Sequence, residues 1–380
     1  MQVLVLNSGS SSLKFQLFSM PSEQILCSGL IERIVEIETS ILNHNKGLEI
    51  LSEQLLNPET GIIKSANEID IVGHRVVQGG SRFKKTTEIT AAAKASIKNL
   101  FNLAPLHNPA NLEGIEVAET IFPNAKQVAV FDTAFHQSIP EYAFKYAIPN
   151  ELLTDHEIRL YGFHGTSHKY VSEKAIDYLG KLNSKIITIH LGNGCSITAV
   201  NNGKSVDHSM GLTPLDGLIM GTRSGNIDPS VIFHLASKLN YSLDEINTLL
   251  QKKSGMLGLT GFSDLRDIQT EAAKGNKDCL LALQMNTYRI KKYIGSYAAI
   301  LNGLDAIVFT AGIGENSALM REMICKDLNF LGIELDLEKN NLRTSDLRSI
   351  KKYNAKVEIL VIPTNEELEI AKQSVALFEY

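Results

Sequence analysis

Hydroxyls, an amide and a cation crowd one short turn near the start of the chain, Asn7-Ser-Gly-Ser-Ser-Ser-Leu-Lys14. Such groups suit a terminal phosphate and its metal. No G-x-x-x-x-G-K-[ST] occurs, so this is not a P-loop, and Ser-rich turns are commonplace on their own. A second glycine turn, His190-Leu191-Gly192-Asn193-Gly194, is equally ambiguous alone. A third, Ala311-Gly312-Ile313-Gly314-Glu315-Asn316, follows the apolar run Ala306–Thr310 and predicts a backbone lying flat against a nucleotide. Ser317 stands where the dinucleotide fingerprint needs its last glycine, which disfavours an NAD site. Arg75 lies in Gly73-His-Arg75-Val-Val-Gln-Gly-Gly80 and Arg223 in Met220-Gly-Thr-Arg223-Ser-Gly225. Glycines that let the chain turn sharply predict bidentate clamps on carboxylate or phosphate. A lone arginine is as a rule solvated or salt-bridged; two of them beside three glycine-rich turns raise the functional reading.

Tyr161-Gly-Phe163-His164-Gly-Thr-Ser-His168 reads as a loop entering a helix, with Thr166 or Ser167 as N-cap. A cap between the two histidines predicts diverging rings, and no third zinc ligand stands at suitable spacing. His164 reads as a hydrogen-bond donor to developing charge, with a structural role as the alternative; His168 reads as structural. Asp132 closes the apolar run Val128–Asp132, and Glu366 follows Ile359–Pro363. Carboxylates at strand ends are where α/β sheets hold ligands and Mg²⁺, although helix caps and surface acids look the same in sequence.

The elements that must position these groups are short and regular. Val3–Leu6, Ile69–Val72, Gln127–Phe131, Ile186–His190, Ala306–Thr310 and Val357–Ile362 read as strands, several apolar on nearly every residue and so covered on both faces. Helical spacing marks 91–103, 108–121, 169–179, 228–239, 243–252 and 278–301. The alternation predicts an α/β protein with mixed sheets. Val3–Phe15 and Ile187–Ala199 share one pattern, strand, small-residue turn, strand, which suggests a duplicated domain rather than two unrelated hairpins.

At 380 residues the chain exceeds one core, so two domains are expected. Lys+Arg total 37 against 42 Asp+Glu, a net charge of -5 that argues against a general polyanion binder. Any phosphate is therefore gripped locally, by a few aimed groups. The four cysteines are scattered with no C-x-x-C pair, and no apolar run nears the roughly 18 residues that cross a bilayer. A soluble cytoplasmic protein, with no nucleic-acid or membrane partner, is the expectation.

Together these residues resemble the acetate kinase family, from Asn7 to Glu367. The motifs are LVLNSGSSSLKF, GHRVVQGG, APLHNP, VFDTAFHQ, YGFHGTSHKYV, HLGNGCS, TPLDGLIMGTRSGNIDP, FTAGIGEN and PTNEEL. The resemblance implies reversible phosphoryl transfer between ATP and acetate, giving acetyl phosphate and ADP, with Mg²⁺ or Mn²⁺ as cofactor, in a homodimer. It implies duplicated actin-like, ribonuclease H-like domains with mixed sheets flanked by helices and a nucleotide in the cleft. The first would be 1–133 with 367–380 and the second 134–366. Asn7 and Glu366 resemble the metal site and Lys14 a phosphate contact. Arg75 resembles the holder of the substrate carboxylate, Arg223 the residue acting on the transferred phosphoryl and His164 the transition-state stabiliser. His190, Leu191, Gly192, Asn193 and Gly194, then Asp264, Leu265 and Arg266, then Gly312, Ile313, Gly314, Glu315 and Asn316 match the nucleotide contacts. Val77, Leu106, Phe163 and Pro214 match an apolar wall around the acetate methyl. Gln78 and Asn226 depart from the pattern, where His and Asp are usual.

The resemblance also marks Asp132 as a catalytic acid/base. Acetate is already ionised at neutral pH, so a base has nothing to remove; Asp132 is expected to orient Mg²⁺ or an arginine. The obstacle is instead the approach of one anion to another, which Arg75, Arg223 and His164 would relieve. A propionate kinase shares these motifs and is the nearest rival; a catalytically silent ATP-binding actin-like module is a further one. A sugar kinase would need a carboxylate base beside hexose-binding groups, and no G-x-S-x-G elbow supports a serine hydrolase. One methylene in an apolar pocket is worth about 1–3 kcal/mol, so propionate should be used less well than acetate. Val77→Ala should narrow that gap in steady-state kinetics; an unchanged ratio of efficiencies would place the pocket elsewhere.

Overall fold

The computed structural model describes residues 1–8, 12–32, 44–57, 59, 61–105 and 107–379. The tip of the first Ser-rich turn (9–11) and Leu106 lie outside the described residues. Contacts divide the chain into two compact units, one of residues 1–137, 165–167 and 365–380, the other of 138–164 and 168–364.

The first unit is built on β1 (Gln2–Ser8), β2 (Ser12–Ser19), β3 (Gln24–Glu32), β4 (Ile71–Val76), β5 (Thr87–Glu88) and β6 (Lys126–Phe131). Their order is β3-β2-β1-β4-β6-β5. The first three form an antiparallel meander, β1, β4 and β6 run parallel, and β5 returns antiparallel at the edge. Val3 to Leu6 are all buried because both faces are covered. On one face Leu4, Leu6, Leu13 and Leu17 join Leu48 and Leu51 of the helix His44–Leu55 and Phe122 in a single core. Against the other lies the last helix, Glu366–Ala376.

The second unit repeats this plan. Its strands are β7 (Lys185–Leu191), β8 (Cys195–Asn201), β9 (Lys204–His208), β10 (Ala306–Thr310), β11 (Arg348–Ser349) and β12 (Glu358–Val361), in the order β11-β12-β10-β7-β8-β9. Antiparallel meander, parallel centre and antiparallel edge recur in the same sequence. Even the bulge recurs. It falls at Leu17/Phe18 on β2, opposite Leu4 and Val3, and at Ala199/Val200 on β8, opposite Ile187 and Ile186. The expected duplication is therefore present down to the register. Superposing the two ladders by register puts Asn7 at the position of His190 and Arg75 at that of Thr310. Among the described residues, no helix is long and apolar enough to cross a membrane.

Two local expectations are corrected. The strand expected at Ile69–Val72 runs instead from Ile71 to Val76, so Gly73-His-Arg75 is extended ladder and no turn. Gly73 serves packing: a Cβ there would sit 2.7 Å from Ser374 Oγ and 2.9 Å from Ile370 Cγ2 of the last helix. The Gly312-x-Gly314 segment, expected to lie flat, is the short helix Ala311–Asn316, entered through Ala311 at φ 64°. A strand that must reverse onto its own sheet there needs a left-handed residue.

Gly73→Ala should thus prise the last helix from β4. The expected loss is about 1–3 kcal/mol, read as a lower denaturation midpoint; unchanged stability would show that the helix can shift without cost.

Candidate functional site

In the first unit the charged residues gather at the carboxyl ends of the parallel strands. Asp132 follows β6, its N–H still donating to Val76 O (2.9 Å). Its carboxylate is buried and accepts from Arg75 of β4, with Oδ1 and Oδ2 3.0 and 3.1 Å from Nε and Oδ2 2.6 Å from Nη2. Arg75 Nη1 donates to Asn7 Oδ1 at 3.1 Å, so β1, β4 and β6 each contribute one member of the triad. Burial opposes the guanidinium charge, yet Asp132 outweighs it and raises the Arg75 pKa. Glu366, the first residue of the last helix, is pushed up to about 7, first by burial and then by Asp132 and Glu367, against the pull of Arg75 and Lys14. Lys14, opposite Asn7 in the β1–β2 ladder, pairs with Glu367 at 2.8 Å.

The donor set suits a hard cation. Asn7 and Glu366 offer oxygens only, and three carboxylates face two cations. No group of three His, Cys, Asp or Glu that could hold a metal ion occurs among the described residues.

In the second unit, His164 stands just ahead of the helix Gly165–Leu179 in a left-handed conformation (φ 55°). The expected caps Thr166 and Ser167 lie inside that helix; it starts at Gly165, whose N–H donates to Asp132 O within the first unit. The rings of His164 and His168 were expected to diverge. They converge instead, both 2.8 Å from Ser196 Oγ on β8, because the strained turn swings His164 back onto the helix's first coil. His190, at the end of β7, stacks on His164 with centroids 4.2 Å apart. Arg223 donates to Pro214 O at 2.6 Å, and its Nη2 packs on Gly194: a Cβ at 194 would lie 2.7 Å from Nη2 and 3.4 Å from His164 Nε2. Arg223 and the His164 imidazole therefore border one point of the backbone.

A cavity of about 1400 Å³ lies in the same unit. All three sequence-nominated stretches reach it: Leu191–Asn193, Asp264–Arg266, and Gly312, Ile313, Glu315 and Asn316. His190, Gly194 and Gly314 do not line it. Asp264 caps the helix Leu265–Ala273 and chelates Arg266. The sequence reading missed Arg321, which lines the cavity while buried to 1% exposure. It donates to Gly314 O, Glu315 O and Asn340 (2.8–2.9 Å), and burial lowers its pKa to about 10. No glycine or strand end flags it in sequence; only its burial does.

Of the apolar-wall residues, Val77 is buried in the first unit and Phe163 in the second, where Pro214 also lies. Gln78 is fully buried, its Oε1 accepting from Gly80 N (2.9 Å) and its N–H donating to Asn108 Oδ1. Asn226 Oδ1 accepts from the Tyr293 hydroxyl. Asn226 thus has a satisfied local role, whereas the Gln78 Nε2 is buried without a hydrogen-bond partner.

The model of the acetokinase family matches residues 2–372. An acetate kinase from Flavobacterium johnsoniae is 61% identical over the whole of both chains. The crystal structure of Porphyromonas gingivalis acetate kinase is 43% identical and superposes over all of both chains with a TM-score of 0.94. That of a propionate kinase from Francisella tularensis is 46% identical over 99% of each, with a TM-score of 0.92.

A carboxyl with its pKa lifted above its ordinary 4.5 costs stability when it is forced to ionise, and that cost grows as pH rises from 4.5 towards 7. Glu366→Gln should accordingly melt higher than the parent at pH 8 without ligands, and equally near pH 4. A lower melting point at pH 8 would mean the carboxylate is already compensated.

Proposed function

The chain belongs to the acetokinase family and is a phosphotransferase with a carboxyl acceptor; from that premise we propose reversible transfer of the γ-phosphoryl of ATP to acetate, by direct attack of the carboxylate in line. The observation that carries the reading is the Arg75–Asp132–Asn7 triad, an arginine half-buried, charged and rigidly held where an ionised acceptor needs one. Phosphoryl transfer asks little of a base and much of positioned positive charge. Arg75 takes the acetate carboxylate, Val77, Leu106, Phe163 and Pro214 take its methyl, and Arg223 and His164 take the equatorial oxygens of the transferred group. The nucleotide is held by the turn at His190–Gly194, by Asp264–Arg266 and by Gly312–Asn316, with Lys14 on its phosphates. Asn7 and Glu366 are the residues that would hold Mg²⁺, which when bound supplies charge neutralisation on the polyphosphate. Asp132 acts on Arg75, to which both its oxygens are bonded, and the acceptor, already ionised, gives it no proton to remove.

A propionate kinase is the second reading, favoured by the Francisella tularensis neighbour. For self-association, the helix Ser230–Lys238 (SVIFHLASK) buries none of its residues, leaving Phe233 exposed, with Leu243 and Tyr288 exposed on other helices. Apolar surface of that kind is what a homodimer covers. The four free thiols suit the reducing cytoplasm.

Asp132→Asn keeps the shape and removes the charge that holds Arg75. The expected result is a loss of about a hundredfold in kcat/KM for acetate that added Mg²⁺ does not relieve. Recovery at high Mg²⁺ would assign Asp132 to the metal instead.

A further inference from the structure

Behind His164 runs a chain of buried hydrogen bonds that phosphoryl transfer has not yet used. His164 Nδ1 lies 2.8 Å from Ser196 Oγ, Ser196 Oγ lies 2.8 Å from His168 Nε2, and His168 Nδ1 lies 2.7 Å from Thr188 Oγ1. Ser196, His168 and Thr188 are completely buried. A serine hydroxyl carries one proton, so it can donate to only one of the two imidazoles that flank it. Satisfying both bonds requires the other imidazole to donate to it.

Two arrangements meet that condition while also using the Ser196 proton within the chain; were both imidazoles to donate, that buried proton would have neither of them as acceptor. In the first, Thr188 donates to His168 Nδ1, His168 Nε2–H donates to Ser196, and Ser196 donates to His164 Nδ1; His164 then carries its proton on Nε2. In the second every bond is reversed, and a neutral His164 has a bare Nε2. An imidazolium His164 also requires the second. Two observations select the first. Arg223 Nη2 and His164 Nε2 border the same atom position beside Gly194, so a second cation there is disfavoured. A bare Nε2 would set a lone pair towards an anionic phosphoryl, whereas a neutral N–H donates to it without needing the imidazolium.

We propose that His168, acting through Ser196, is a positioning residue that keeps the His164 imidazole in the tautomer with its proton on Nε2, the form that donates to the transferred phosphoryl. This rests on the role given to His164 above. It accounts for two features otherwise without purpose: the left-handed turn at His164, which points Nδ1 back at β8, and a fully buried histidine bonded at both nitrogens to hydroxyls.

The test combines ¹⁵N imidazole spectra with kinetics of the full-length enzyme. In the parent, His164 should show an unprotonated Nδ1 and a protonated Nε2. Ser196→Ala should scramble that assignment and lower kcat on the order of tenfold to a hundredfold, with both KM values within about twofold; Ser196→Thr should restore it. In a His164→Ala background Ser196→Ala should cost nothing further in kcat, because the two act as one unit. His168→Gln offers Ser196 an amide that can donate or accept, so it no longer fixes the direction of the Ser196 hydroxyl; His164 should then show protonation on both Nδ1 and Nε2, and kcat should fall as in Ser196→Ala; this variant serves even if Ser196→Ala fails to fold. Additive losses in the double variant, a protonated Nδ1 in the parent, or a His164 that stays protonated on Nε2 alone with unchanged kcat in His168→Gln, would overturn the proposal while leaving the role of His164 standing. Full activity in His164→Ala would overturn that role, and the proposal with it.

Discussion

Two anions must meet for this reaction to occur, and the enzyme's problem is to hold positive charge still while they do. A free arginine would be hydrated, mobile and spread over many rotamers. Arg75 is none of these, because Asp132 grips its guanidinium from one strand end and Asn7 fixes its remaining edge from another. The grip depends on β1, β4 and β6 being adjacent and in register. That in turn depends on Gly73, whose missing side chain lets the last helix lie on β4 and bring Glu366 to the same group. Electrostatics at the triad is thus a consequence of backbone packing two residues away.

The same physics explains the cost of the arrangement. Glu366 sits among carboxylates with its pKa near 7, a group that the unliganded fold would prefer neutral. Such tension is characteristic of ionisable groups gathered at a functional site. In the second unit burial is handled differently. His168 there bonds the hydroxyls of Thr188 and Ser196, and the buried Arg321 donates to the carbonyls of Gly314 and Glu315 in the short helix beside the cavity. Carbonyl partners leave the Arg321 charge uncompensated, whereas the acidic partner at Arg75 fixes the geometry of its guanidinium.

Duplication supplied both frames. The two ladders share strand order, direction and the position of one bulge, yet the equivalent positions carry Asn7 and Arg75 in one and His190 and Thr310 in the other. A single scaffold has been given two chemistries at the same strand ends, where the sheet delivers side chains to ligands.

Much of this was legible in the residues themselves. Continuous apolar runs announced strands covered on both faces, and the order of motifs announced the family. These signals are local, and local propensity survives transcription into one dimension. What the chain alone did not determine was the use of each residue. Gly73 looked like a turn and proved to be a packing contact; His168 looked like an isolated structural histidine and proved to share a hydroxyl with His164; Arg321 gave no signal at all. Each of those facts depends on a partner far away in sequence: Ser374 and Ile370 for Gly73, Ser196 for the histidines, Asn340 for Arg321. Such partners are chosen by how helices settle on sheets and by which buried polar atoms must be paired, and both are decided only when the whole core closes.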